Sequence, residues 1–455
     1  MAIFENKVPL DLISNPNFNY RVIVKFKPDI QLPYNAEVTF DNVLQPFRSA
    51  WTALKSQFKD LHLIPYFATI QEDILRQFVF EEKNNTKKIT QATFLQYFSI
   101  NCSSRPLAEV IATELRSWPM VITAYVEGDP APPPISPNDD PLSRNQGYLN
   151  AAPAGIDASS LWQRVDGSGV GFVDLEQGWT LDHVDLMDAG ITIISGVNKY
   201  YHGHGTAVLG VVSAVDNQQG GIGIAPGATT RVVSQWRTAT ETMPKTAEAI
   251  LSAVGTMEEG DILLLEAQAI HPVHGYVPVE VEQAVFDAIF YATSQRGIVV
   301  VEAAGNGSND LDVFQDYNGR QVLNRTSTDF LDSGAIMIGA ATSRAPHRRM
   351  HFSNFGSRID CFAWGENIST CGDGWDGTGK YAYTSSFNGT SGASPIIAGA
   401  ALLMQSWGIK VFGRKYKSSF LRDWLSDSNL HTKSFNPSTD RIGVMPNLQK
   451  LLDSG

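Results

Sequence analysis

The stretch Phe387-Asn388-Gly389-Thr390-Ser391-Gly392-Ala393-Ser394-Pro395 runs straight into an apolar segment, Ile396 to Leu403, that reads as a buried helix. A serine at such a loop-to-helix junction sits among free backbone N–H groups and the positive end of the helix dipole. That is a place to generate a serine nucleophile and to hold the oxyanion it creates. Pro395 falls in the first turn, where a missing N–H costs little. Taken alone, the motif fits an ordinary capped helix start equally well. Its meaning depends on what the rest of the chain brings to it.

Upstream, from about residue 165, apolar β-rich runs alternate with helical patterns. Gly169 to Leu175, Ile262 to Ala267, Ile298 to Ala304 and Gly334 to Ala341 read as buried parallel strands. Val281, Ala284, Val285, Ala288, Ile289 and Ala292 form a helical stripe between them. The pattern predicts an α/β domain with a mostly parallel sheet flanked by helices, whose chemistry gathers at the carboxyl ends of the strands. Three further pieces belong at those ends. Asp174 closes the first strand, His204 stands in His202-Gly203-His204-Gly205-Thr206 at the start of a helix, and Asn306 follows the strand Val299-Val300-Val301 in Ala304-Gly305-Asn306-Gly307. Acyl transfer by serine needs a base, a carboxylate to orient that base, and donors for the oxyanion. Ser391, His204, Asp174 and Asn306 supply one of each, in the chain order Asp, His, Ser that subtilisin shows.

With these residues in place the chain resembles the subtilisin-like serine proteases, the subtilases, over roughly residues 165–452. Trp179-Thr180-Leu181-Asp182-His183-Val184-Asp185-Leu186 is similar to the family segment ending His-Pro-Asp-Leu. Gly223-Ile224-Ala225-Pro226-Gly227-Ala228 matches the Gly-x-Ala-Pro-x-Ala loop. Phe352-Ser353-Asn354-Phe355-Gly356 and Ala363-Trp364-Gly365-Glu366-Asn367-Ile368 resemble the stretches before the serine. The resemblance implies a serine endopeptidase with Ser391 as nucleophile, His204 as general base and acid, Asp174 as the orienting carboxylate, and Asn306 as oxyanion donor beside the Ser391 N–H. It also implies that Leu265-Glu266-Ala267-Gln268 pairs with the substrate backbone, in place of the usual Ser-Leu-Gly-Gly, and that Ala303-Ala304-Gly305 walls the pocket for the residue before the scissile bond. Glu266 and Glu302 interrupt apolar strands, where a carboxylate needs a partner, a proton or solvent. Either Glu266 reads a basic substrate side chain, with Glu302 the weaker candidate, or both meet cations of the protein itself. Ala207 stands where the family often has a second histidine.

Residues 1–126 read as a separate small α+β domain. Arg21 to Phe26 is strand-like, and Phe47, Trp51, Leu54 and Phe58 recur at helical spacing. Leu61 to Ala68 and Phe94 to Ile100 are strand-like, Gln71 to Lys88 is ambiguous, Leu107 to Trp118 is helical, and Val121 to Val126 is a last strand. The order is ferredoxin-like, and by the resemblance this domain is a propeptide-like intramolecular inhibitor that keeps the enzyme latent. Residues 127–150, with six prolines between Asp129 and Pro141, form the linker, and 151–455 the catalytic domain.

The totals fit this reading. A chain of 455 residues with 43% hydrophobic and 18% charged residues is an ordinary globular protein. A net charge of −12 argues against nucleic acid or an anionic membrane as partner. The expected partner is a protein or peptide substrate. No signal peptide and no apolar run of membrane-spanning length is evident, which points to the cytoplasm. Cys102, Cys361 and Cys371 are too few for a disulfide framework, though a Cys361–Cys371 bridge remains open. No cofactor or metal set is expected: no acidic loop matches a calcium-ligand spacing, and Asp310-Leu311-Asp312 and the Asp373–Asp376 loop are weak candidates that read equally as solvated surface. A peptide transferase or macrocyclase using the same residues, or an inactive peptide-binding scaffold, are the competing readings.

Overall fold

The computed structural model describes residues 20–30, 32–34, 45–58, 61–68, 70, 72–77, 79–83, 89–127, 135–136 and 139–454. The expected linker between 128 and 134 and at 137–138 lies outside them, as do residues 1–19. The chain divides into two compact units, Met1–Pro132 and Pro133–Gly455.

In the first unit, β1 (Tyr20–Phe26), α1 (Gln45–Gln57), β2 (Ile64–Pro65), α2 (Glu72–Gln77), β3 (Val79–Lys83), β4 (Ile89–Thr93), β5 (Tyr97–Cys102), α3 (Arg105–Arg116) and β6 (Val121–Val126) follow in order. The main sheet is antiparallel, with order β2-β5-β1-β6. With α1 and α3 as crossovers this is the ferredoxin-like arrangement, into which the separate β3–β4 hairpin is inserted. Val22, Val24, Phe98 and Ile100 from the sheet and Trp51, Leu54, Ile111 and Leu115 from the helices make one core. The ambiguous segment after Gln71 is the short helix and first hairpin strand.

The second unit is built on nine strands. They are β7 (Gly171–Glu176), β8 (Thr192–Ser195), β9 (Thr229–Ser234), β10 (Ile262–Leu265), β13 (Val299–Ala303), β14 (Ile336–Ala341), β15 (Cys361–Trp364), β18 (Thr432–Lys433) and β19 (Val444–Met445). Their order is β18-β19-β15-β14-β13-β10-β7-β9-β8, and only the β18–β19 pair is antiparallel. Two hairpins, β11 (Gln268–His271) with β12 (Gly275–Pro278) and β16 (Ile368–Cys371) with β17 (Tyr383–Phe387), stand outside the sheet. The central strands are Val/Ile/Leu runs because both faces are covered: every residue of β10 is buried. Truncating such a side chain to alanine costs about 2–5 kcal/mol.

Helix α4 (His202–Ser213) is buried throughout except at its first residue. The expected helical stripe becomes α6 (Gln283–Phe290), following α5 (Thr246–Val254), and ends in a π-helical turn over Tyr291–Gln295. Helix α7 runs from Thr390 to Phe412, well past the expected Leu403. It is long and apolar enough to cross a membrane, contrary to the sequence expectation, but most of it is buried against β10, β13, β14, β15 and α4. The 139–150 end of the expected linker is folded onto this unit. Tyr148 is fully buried, and its hydroxyl donates to Ser369 O at 3.1 Å. Cys361 and Cys371 are buried free thiols, not a bridge.

Candidate active site

The carboxyl ends of β7, β10 and β13 meet the first turns of α4 and α7, and there the polar residues collect. Gly389 precedes α7 at φ +94°, a conformation open to glycine, and turns the chain so that Thr390 and Ser391 enter the helix. Asn306 leaves β13 through Gly305. Its Oδ1 accepts from Thr390 N (2.9 Å) and Thr390 Oγ1 (3.2 Å), which fixes the amide and leaves Nδ2 as a free donor. A Cβ built on Gly389 would stand 3.5 Å from both Nδ2 and Oδ1 of Asn306 and 3.6 Å from Ser391 N, so the Asn306 amide and the Ser391 N–H border one small space. An oxyanion site draws on N–H donors gathered in this way.

His204 and Ser391 line one cavity of about 520 Å³ together with Asn306, Gln268, Tyr276, Phe352, Trp375 and Phe387. Trp375, in the loop between β16 and β17, lies parallel to the His204 ring at 4.7 Å, and Phe387 meets it edge-on at 5.5 Å. His204 is thereby only 7% exposed, while Trp375 itself is 63% exposed. The loop approaches α4 so closely that a Cβ on Gly203 would come within 1.7 Å of Gly374 O, which only glycine permits.

The carboxylate at His204 is that of Glu176, not Asp174. His204 Nδ1 and Glu176 Oε1 are 2.5 Å apart, and Glu176 Oε2 accepts from Gln177 N at 3.3 Å. Asp174 instead accepts from Trp179 Nε1 at 2.7 Å. The reason is strand length: β7 continues two residues beyond Asp174, and Glu176 occupies its carboxyl end on the same face. The signal was present, since Leu175 continues the apolar run and the turn glycine, Gly178, comes only after Glu176. Burial pushes both the Asp174 and the Glu176 carboxyl well above their ordinary range and holds His204 below its own.

Of the expected substrate-binding residues, Gln268 lines the cavity, and its Oε1 accepts from Asn306 N at 3.0 Å. Leu265, Ala303 and Ala304 are buried in the core. Glu266 is 6% exposed, does not line the cavity, and bonds to Ser394 Oγ at 2.5 Å. Glu302 is fully buried and accepts from Glu280 N at 3.0 Å, beside Arg358. Neither glutamate is therefore placed to read a substrate side chain. Trp375 was missed, because an exposed aromatic in a glycine-rich loop carries no periodic signal.

Asp310 and Asp312 are bridged by Arg441 at 2.5 and 2.7 Å, which uses the oxygens a cation would take. Asp139, Asp140 and Asp216 bring carboxylate oxygens within 4.8 Å of one another, and could hold a hard cation. Burial, and then the neighbouring Asp216, push Asp140 up to about 7.

The family described as the subtilase family matches residues 195–441, more than half of the chain. Its matched interval contains His204, Asn306 and Ser391 but begins after β7. "Subtilisin DY" of Bacillus licheniformis is 31% identical over 240 residues, covering 52% of this chain and 76% of that protein. An "Intracellular serine protease" of Paenibacillus polymyxa is 28% identical over 277 residues, covering 58% and 75%. Among solved structures, a protease from Pseudoalteromonas arctica superposes with a TM-score of 0.53 at 20% identity, over 70% of this chain and all of that one.

Proposed function

We propose, for a chain that belongs to the subtilase family and is therefore a serine endopeptidase of the subtilisin type, that Ser391, His204, Glu176 and Asn306 carry the reaction. Ser391 Oγ attacks the peptide carbonyl while its proton passes to His204 Nε2. Glu176 accepts the Nδ1–H bond, selects that tautomer and steadies the imidazolium. The oxyanion is held by Asn306 Nδ2 and the Ser391 N–H at the α7 terminus. His204 then gives its proton to the leaving amine, and water, deprotonated by His204, releases the acyl group. The single observation that carries this reading is the convergence of the two donors beside a serine that shares its cavity with the carboxylate-bound histidine. Among the described residues no hydrogen bond joins Ser391 Oγ to His204; such bonds commonly tighten only once substrate is seated.

Labelling with a fluorophosphonate probe and digestion of a peptide library test it. The probe should attach to Ser391, and Ser391→Ala should lose labelling and peptide cleavage while keeping its circular dichroism. A folded S391A that still cleaves at the original rate would refute the assignment. Product masses from the same digestion distinguish hydrolysis from transfer to an amine.

The first unit is proposed to be an inhibitory propeptide-like domain. The support is its sheet order and its place ahead of the catalytic unit. The excised unit should inhibit the processed enzyme in trans, and no effect at micromolar concentration would exclude it. The name of the Paenibacillus relative supports an intracellular place of action, which fractionation of the producing cells checks.

A further inference from the structure

Three carboxyl groups and one imidazole share the buried end of β7 and β10, and neither a lysine nor an arginine figures among their bonding partners in the described residues. Glu266 directly follows β10, held by its N–H on Leu175 O at 3.2 Å. An oxygen of Glu266, an oxygen of Glu176 and a ring nitrogen of His204 all lie within 4.8 Å of one another. The groups facing Glu266 are Glu176 and Asp174 from β7, His204 from α4, and from α7 the uncharged Ser394. On β13, Glu302 turns away to Glu280.

The hydrogens can be counted. Ser394 Oγ lies 2.5 Å from Glu266 Oε1 and 2.8 Å from Thr390 O. Both are hydrogen-bond lengths, and a serine hydroxyl has one hydrogen. Thr390 O is a carbonyl and can only accept. The hydroxyl hydrogen therefore goes to Thr390, the back-bond to residue i−4 that helical serines make. The hydrogen between Ser394 and Glu266 must then come from the carboxyl. Glu176 differs: one oxygen pairs with His204 Nδ1 and the other accepts a backbone N–H, so both of its oxygens can act as acceptors. The second oxygen of Glu266, Oε2, is buried without a partner among the described residues, a situation far less costly for a neutral acid than for a carboxylate.

We propose that Glu266 is a proton-bearing carboxylic acid across the enzyme's working pH range, a positioning residue that leaves Glu176 as the one negative charge bonded to His204 and so lets His204 remain an unprotonated base in mildly acidic solution. This rests on the serine-peptidase reading above. The direction is consistent on each side. Burial first, and the neighbouring Glu176 second, push the Glu266 carboxyl up. Burial pushes His204 down, and an ionised Glu266 would push it back up. With Glu266 neutral, the acidic limb of activity falls below the ordinary imidazole value.

The full chain is compared with Glu266→Gln by infrared difference spectroscopy near neutral pH. The expected result is loss of the carbonyl stretch of one protonated carboxylic acid; an unchanged band overturns the proposal. The profile of kcat/KM against pH gives an independent readout. In E266Q the acidic limb should keep its position within about 0.3 unit, because the charge beside His204 is unaltered. A downward move of about one unit or more would mean that Glu266 is charged, and would overturn it. Should E266Q fail to fold, Ser394→Ala removes only the acceptor of the proton. The same band should then shift in frequency, and no shift overturns the assignment. The infrared band needs no turnover, so a chain without peptidase activity would sink the serine-peptidase reading while the proton on Glu266 stood or fell separately.

Discussion

Two groups of buried carboxyls occupy this sheet, and they are balanced in opposite ways. Around Arg358, itself fully buried, Glu280 accepts from Nε at 2.7 Å and Nη2 at 2.9 Å, and Asp360 accepts from Nη1 at 3.0 Å. Arg325 and Arg422 also bond to Asp360, at 2.6 and 3.1 Å. Glu302 joins this group through the Glu280 N–H. Around His204 stand Asp174, Glu176 and Glu266, and among the described residues the only group there that can become a cation is the imidazole. Carboxyls bonded to guanidinium groups are tied into ion pairs and serve the scaffold. Carboxyls matched by a single histidine can exchange protons among themselves, which is what an acid–base site requires. The two groups are separated by one register step, since Leu265, the residue before Glu266, pairs with Glu302.

The comparison is broken most severely at Glu176. Glu176→Gln keeps the shape but cannot hold the Nδ1–H tautomer as a carboxylate does, and should lower kcat/KM by about 10⁴-fold. Its thermal midpoint should not fall; a midpoint that fell with the rate would move Glu176 into the scaffold class. Arg358→Met should do the reverse. It leaves Glu280 buried without its guanidinium, while Asp360 keeps Arg325 and Arg422, and should cost about 3–5 kcal/mol in chemical denaturation. The kcat of whatever remains folded should be unchanged, measured against active-site titration.

A smaller effect is expected for Glu266→Gln on stability. Unfolded, a glutamate ionises near 4.3, whereas the folded group holds its proton above that. The folded state therefore binds more protons than the unfolded one in this window, and stability falls as pH rises through it. E266Q should match the parent well below pH 4 and exceed it near pH 7. Denaturation curves at the two pH values that differed by a constant offset would contradict this. Asp174→Asn should do least, changing kcat/KM by under about tenfold, because Asp174 bonds to Trp179 and not to His204. A loss as large as that of Glu176→Gln would restore Asp174 to the role expected from the sequence.

The sheet, the ferredoxin-like first unit, and the gathering of Ser391, His204 and Asn306 were legible because apolar runs, turn glycines and spaced motifs each report on local structure. The orienting carboxylate was not. Asp174 and Glu176 lie two residues apart on one strand, so they share a face and a chemistry, and only the strand's true end separates them. Glu266 and Glu302 were legible as carboxyl groups set at the ends of apolar strands. Whether such a residue lies beside an arginine or bonds to a serine depends on elements distant in sequence, Arg358 in one case and Ser394 in the other, and strand periodicity carries no trace of that.

Trp375 lies flat against His204 at 4.7 Å. Indole emission is quenched by a touching imidazolium far more than by neutral imidazole, so this stack couples the ionisation of the general base to light. Of the nine tryptophans in the chain, the one on the exposed loop is an optical gauge built into the catalytic centre. Following its fluorescence through an acid titration would read the protonation of His204 directly, without substrate and without a foreign label.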